Sequence, residues 1–176
     1  MIKWGILSTA KIATEQIIPA ITESKNSIIR GIASRDIKKA KKISKQFDIP
    51  KFFGTYDELL NCKKIDAIYI PLPTSQHVEW SIKSLKAKKH VLCEKPIALN
   101  VKEIDKINLE INKSNKIFSE AFMVYYHPQW KKVKELILNG EIGELKHVQG
   151  CFTYFNIDPK NMRNIPELGG GVLPDI

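Results

Sequence analysis

The first 120 residues alternate between two periodicities, and that alternation leaves the chain few folds to choose from. Apolar runs of strand length recur at Ile2 to Leu7, Ile28 to Ala33, Asp66 to Ile70, His90 to Cys93 and Ile117 to Ser119. Between them lie segments with helical spacing: Lys11 to Ser24, where Pro19 is placed to kink or split the helix, Asp36 to Phe47, Tyr56 to Asn61, His77 to Lys88 and Val101 to Asn115. In the last of these Val101, Ile104, Ile107 and Ile111 are expected to face inward. The strand runs show little in/out alternation, as strands covered on both faces do. Repeated β-α-β units of this kind predict an α/β fold with a doubly wound parallel sheet over residues 1–119.

The pattern changes after residue 120. Pro128 suits the first turn of a helix whose inner face is Trp130, Val133, Leu136 and Ile137, and Asn139-Gly140 supplies a left-handed stop. A strand is expected from Leu145 to Phe155, followed by the loop NIDPKNMRNIPELGGGVLPDI. Residues 120–176 number 57, and one helix with one strand cannot close a core alone. This part is read as the start of an α+β substrate and dimerisation domain.

Composition excludes several functions. Hydrophobic residues make up 43% and charged ones 27%, so the chain folds rather than remaining disordered. No run approaches the roughly 20 apolar residues of a membrane span, and MIKWGILSTAKIA lacks the regions of a signal peptide; a cytoplasmic protein without membrane partners is expected. Cys62, Cys93 and Cys151 form no C-x-x-C pair, which argues against a disulfide framework or a cysteine-built metal site and for buried thiols. The net charge is +9, with 22 Lys+Arg against 12 Asp+Glu in residues 1–119 and 6 against 7 in residues 120–176. The densest cluster, KKAKKISK at 38–45, shares its segment with the apolar face Ile37, Ala40, Ile43 and Phe47. Its lysines are a solvated helix face, and no nucleic-acid partner is expected.

Three turns carry chemistry. In GILSTAKIA, residues 5–13, the small residues Ser8, Ala10 and Ala13 stand where G-x-G-x-x-G/A has its glycines, and the strict motif is absent. The segment suits either an ordinary strand–helix turn or a dinucleotide loop contacted through Ser8, Thr9, Ala10 and Ile12. In ASRD, residues 33–36, Ser34 and Arg35 favour the 2′-phosphate of NADP over the ribose hydroxyls of NAD, and Asp36 is placed as a helix N-cap. In IPLPTSQHVEW, residues 70–80, Pro71 and Pro73 force an extended turn before Thr74 and His77. That turn is either a rigid capped loop or the edge of a cofactor cleft at the carboxyl ends of the strands.

HVLCEKPIAL, residues 90–99, ends a strand on Glu94 and Lys95, and Pro96 then forbids further pairing. A lysine at a strand end is often only the chain surfacing. On the cleft side, partly desolvated beside a nicotinamide, it can serve as an acid or base.

WGILSTAKIA, ASRD, IPLPTSQHVEW, CEKPIAL, EAFMVYYHPQ and PELGGGVLPDI, in that order and spacing, resemble the Gfo/Idh/MocA oxidoreductases, in the branch of NADP-dependent sugar dehydrogenases and dimeric dihydrodiol dehydrogenases. The resemblance covers the whole chain. It implies a Rossmann-type N-terminal domain, here 1–119, followed by a domain built on a mostly antiparallel sheet, of which 120–176 would be the opening. It also implies that Lys95 lies by the nicotinamide and the substrate hydroxyl, that the Lys95–Pro96 bond is cis, that Glu94 is near the nicotinamide, and that Asp175 belongs to the catalytic group. Tyr125 and His127 become substrate-side candidates. Thr74 stands where many members have Asn, and Tyr125 where relatives often carry Arg; the Tyr or His expected four residues after Asp175 lies beyond Ile176.

The implied reaction is hydride transfer between a nicotinamide and a sugar, polyol or dihydrodiol carbon, with NADP as cofactor. Members of the family are longer, so this chain is expected to be a truncated form, weak or inactive in turnover, whose full-length form is a homo-oligomer. A non-catalytic NAD(P)-binding regulator of the same fold and a degenerate gene fragment are the alternatives.

Overall fold

The computed structural model describes residues 1–171, so Asp175 lies outside the described residues. Strands β1 (Ile2–Leu7), β2 (Ser27–Ala33), β3 (Phe52–Phe53), β4 (Ala67–Ile70), β5 (His90–Glu94) and β6 (Phe118–Ala121) form one sheet in the order β3-β2-β1-β4-β5-β6. Every pairing is parallel. The order reverses between β1 and β4, which opens a crevice at the carboxyl ends of the strands. Strand β3 was not expected: its two residues pair only with Ile32 and Ala33, and two residues carry no period.

Side chains leave the sheet with period two. Ile6, Ile32 and Tyr69 pack on one face with Ala13, Ile18 and Ile49. Leu7, Ala33, Ile68 and Ile70 pack on the other with Leu59 and Leu85. Glycine is required where this second layer comes close: a Cβ on Gly5 would sit 2.7 Å from Leu59 Cδ2. The buried Lys89 ammonium is satisfied by the carbonyls of Cys62 at 2.9 Å and Ile65 at 2.7 Å.

Side-chain caps open several of the helices, Asp36 among them as the sequence places it. A π-helical turn, Ala13–Ile17, runs directly into α1 (Ile18–Glu23), so the expected split does not occur: Pro19 sits in the first turn of α1, where its missing N–H is tolerated. Asp36 caps α2 (Ile37–Gln46), its Oδ1 accepting from Lys38 N at 2.9 Å, and Lys38, Lys39, Lys41 and Lys42 are exposed around the buried Ala40. A capping box between Thr55 and Glu58 opens α3 (Tyr56–Leu60). A 3-10 turn, Thr74–Gln76, leads into α4 (His77–Lys86) with no side-chain cap on either. Asn100 caps α5 (Val101–Ser114), which buries Ile107 and half-buries Ile104 and Ile111; Val101, the first helical residue, is exposed rather than inward.

The second part departs further from expectation. Helix α6 (Pro128–Leu138) starts at Pro128 and is followed by Gly140 at φ 75°, as the turn chemistry requires. Its intended inner face is uncovered, with Trp130, Val133 and Leu136 exposed. Residues 145–155 form no ladder among the described residues, so the expected strand and the antiparallel sheet it would open are not formed there. A strand exists only by exchanging hydrogen bonds with a neighbour, and this segment has none.

Among the described residues, no helix is long and apolar enough to cross a membrane. The thiols differ from the uniform burial expected: Cys93 is buried, Cys62 half-buried and Cys151 exposed. Burial pushes the Cys93 thiol up to about 12. A maleimide at neutral pH will therefore label Cys151 first and Cys93 only after denaturation, read by peptide mass spectrometry. Early labelling of Cys93 would contradict the packing of β5.

Candidate active site at the carboxyl ends of the strands

The cleft begins at the turn after β1. Ser8 takes φ 108°, a region that favours glycine, and so performs the tight turn expected of the first motif position. Its N–H donates to Ala33 O at 2.8 Å, and its Oγ accepts from Ala10 N at 2.9 Å. Ala13, in the third small position, is fully buried where helix meets sheet. Serine and alanine thus do the steric work that glycine does in the strict motif.

Strand β4 is followed by Pro71–Leu72–Pro73, and Thr74 after them is buried. Strand β5 ends on Glu94, and the Lys95–Pro96 bond that follows is cis, as the family resemblance implies. Glu94 is held from beneath: Tyr69, fully buried in β4, donates its hydroxyl to Glu94 Oε1 at 2.5 Å. Burial and the adjoining Glu94 carboxylate push the Tyr69 phenol far up, so it remains a protonated donor. The ring of His77 is also buried, with Nδ1 2.7 Å from Pro96 O and Nε2 2.7 Å from Leu72 O. On the other side Glu120, in β6, accepts from Ile97 N at 3.0 Å.

The glycine-rich loop lies across this cleft. Two 3-10 turns, Met162–Asn164 and Pro166–Leu168, bring Gly169 (φ 85°) against the proline turn, where a Cβ would sit 2.8 Å from Thr74 Cβ. A Cβ on Gly170 would meet Met162 O at 2.3 Å, a backbone contact that no rotamer relieves. The open cleft has a volume of ≈ 630 Å³, of a size that takes a cofactor or small ligand.

Nine of the residues expected at the cofactor line this one cleft: Ser8, Ala10 and Ile12 from the first turn, Pro71, Pro73, Thr74 and His77 from the second, and Glu94 and Lys95 from the third. Thr9 belongs to the first turn but does not line the cleft. Arg35 lies apart, in a shallower hollow of ≈ 440 Å³ with Tyr56, Gln76 and Trp80. The hollow has an aromatic wall: Tyr56 meets Trp80 edge-on at 4.9 Å, and Lys83 sits 4.1 Å above the Trp80 ring. Burial raises the Tyr56 phenol pKa, and the Arg35 guanidinium beside it pulls the other way. Ser34 is buried beside this hollow, its Oγ accepting from Asp36 N at 3.2 Å.

Tyr125 and His127 do not reach the cleft. Tyr125 is exposed, and His127 Nδ1 accepts from Gln129 N at 3.2 Å as the cap of α6. Met123, from the same stretch, lines the cleft instead. Sequence reasoning also missed Asp158, Lys160 and Arg163, which line the far side and carry no motif, and the two supports Tyr69 and Glu120. Glu120 had a signal, a carboxylate at the end of the strand that neighbours β5.

Residues 2–122 match the Gfo/Idh/MocA family profile, described as an oxidoreductase family with an NAD-binding Rossmann fold. The chain belongs to the Gfo/Idh/MocA family. Residues 130–176 match the Gfo/Idh/MocA C-terminal domain. An uncharacterized oxidoreductase of Rhizobium meliloti is 41% identical over all of this chain and 53% of its own length. A dTDP-3,4-didehydro-2,6-dideoxy-alpha-D-glucose 3-reductase of Saccharopolyspora spinosa is 33% identical over 99% of this chain and 52% of its own. A 3-ketoreductase from Actinomadura kijaniata, solved in complex with TDP-benzene and NADP, superposes with a TM-score of 0.77 at 32% identity, covering 81% of this chain and 45% of that one. The chain spans about half the length of the relatives it matches.

Proposed function

We propose that this chain is the cofactor-binding part of an NADP-dependent oxidoreductase acting on a sugar, polyol or dihydrodiol carbon. The observation that carries the reading is the Glu94–Lys95 pair at the end of β5, opening on the same cleft as the Ser8 turn. The residues present fit the cofactor. The small side chains of Ser8 and Ala10 leave room for a pyrophosphate, and in the hollow that it shares with Tyr56, Trp80, Asp57 and Glu79, Arg35 is the cation that would meet an adenosine 2′-phosphate. NADP supplies or accepts hydride at its nicotinamide carbon. Lys95 gives a proton to the carbonyl oxygen in reduction, or takes it from the hydroxyl in oxidation.

Several named relatives act on related substrates: dTDP-linked deoxysugars, D-xylose with NADP(+), and trans-1,2-dihydrobenzene-1,2-diol. Residues 1–119 are the cofactor domain in this reading, and 120–176 open the substrate domain of a protein that works as a homo-oligomer. Little turnover is expected of these 176 residues alone, because among the described residues the substrate side of the cleft is walled by the 158–171 loop and Met123.

Titration of NADPH and NADH against nicotinamide fluorescence tests the cofactor assignment. NADPH binds more tightly in the wild-type chain. Arg35→Ala weakens NADPH about 10- to 150-fold, as loss of a hydrogen bond to a charged group would, and leaves NADH within about twofold. Equal affinities overturn the choice of NADP, and absence of binding by either overturns the cofactor reading.

A further inference from the structure

We propose that His77 and Glu120 are positioning residues for Lys95, which they orient by clamping the Pro96–Ile97 peptide from its two ends. The inference rests on the cofactor reading above.

The C=O of Pro96 and the N–H of Ile97 belong to one planar unit. His77 Nδ1 meets that carbonyl at 2.7 Å, and Glu120 Oε1 accepts from that N–H at 3.0 Å. The two side chains come from different elements, the first residue of α4 and the third of β6, so the unit is held across the chain rather than by its own loop. Both anchors are themselves fixed. His77 is held by burial, 1% exposed beside the proline turn, while Glu120 stands in register with Cys93, two residues before Lys95. A peptide plane fixed at both ends cannot rotate, and the ring of Pro96 fixes φ between that plane and Lys95. The clamp therefore sets the direction in which β5 presents its lysine. It also ties the proline turn and the end of β5, which line the cleft, to β6 behind them.

A purely structural role would leave the lysine where it is once the fold is intact, so the test reads Lys95 directly. In the 176-residue chain, modification of lysines by trinitrobenzenesulfonate is followed by peptide mass spectrometry with and without NADPH. Affinity for 2′,5′-ADP, the adenosine half of the cofactor, is measured beside it. NADPH is expected to shield Lys95 about tenfold in the wild type, and in Glu120→Ala and His77→Phe that shielding falls below about twofold, the effect of one lost buried hydrogen bond. Affinity for 2′,5′-ADP stays within about twofold in Glu120→Ala, because Glu120 lines neither the hollow nor the cleft. Glu120→Gln keeps an acceptor oxygen and restores shielding.

Wild-type shielding in the Ala and Phe variants overturns the clamp, as does a Gln variant that behaves like Ala. If 2′,5′-ADP binds but NADPH leaves Lys95 unshielded in the wild type, the inference fails and the cofactor reading stands. If neither nucleotide binds, the cofactor reading fails and takes the inference with it. Should His77→Phe not fold, the Glu120→Ala and Glu120→Gln pair decides alone.

Discussion

Lys95→Ala is expected to lower hydride transfer between NADPH and a sugar-like substrate by about 10²- to 10⁴-fold, the usual contribution of a positioned acid or base. The loss falls on kcat more than on KM, because the proton moves in the transition state and contributes little to ground-state binding. NADPH affinity is expected to change less, since Lys95 does not line the Arg35 hollow proposed for the adenosine half. Lys95→Arg fails nearly as badly in both directions: a guanidinium keeps the charge but neither gives up its proton to the carbonyl oxygen nor exists unprotonated to accept one. The measurement is steady-state turnover in any form of the protein that reduces a keto sugar or oxidises a sugar or dihydrodiol. Turnover by Lys95→Ala at the wild-type rate would place proton handling on another group and return Lys95 to the role of a charged strand end.

Lys95 could be found in the sequence because three local signals agree there: an apolar run ends, a charge appears, and a proline stops the pairing. The Rossmann sheet was legible for a related reason. Strands such as β4, buried along its whole length, have to be continuously apolar, and that is a local property. What failed depended on distant partners. Strand β3 exists only because Ile32 and Ala33 offer an edge to Phe52 and Phe53. Residues 145–155 have strand composition but no neighbour to pair with among the described residues. Tyr69 reads as one more core residue of β4, and only the register β4–β5 reveals that its hydroxyl reaches Glu94. Ser8 was recognised by its place in the motif, whereas its positive φ, which explains why glycine usually stands there, is a property of the folded turn.

The dependence of the site on the sheet beneath it gives the largest stability effect. Ile6→Ala is expected to lower unfolding free energy by about 2–5 kcal/mol, the range for deleting a buried aliphatic side chain and leaving a cavity. Ile6 has no exposed surface and packs among Ala13, Ile18, Ile32, Ile49 and Tyr69. Domains are stable by only about 5–15 kcal/mol, so the variant loses a large share, equivalent to roughly 4–20 °C in Tm for a chain of this size. The consequence reaches the cleft, because Ile6 stands in register with Tyr69, and Tyr69 is the donor that holds Glu94. Ile6→Val leaves most of the volume filled and should cost only about 0.5–1.5 kcal/mol. Leu138→Ala, on the uncovered end of α6 where Leu138 is 74% exposed, should stay within about 0.5 kcal/mol of wild type. Urea denaturation with a common m-value separates the three. If Ile6→Ala proved as stable as Leu138→Ala, the layer under Tyr69 would not be packed, and the rigid support inferred for Glu94 would have no foundation.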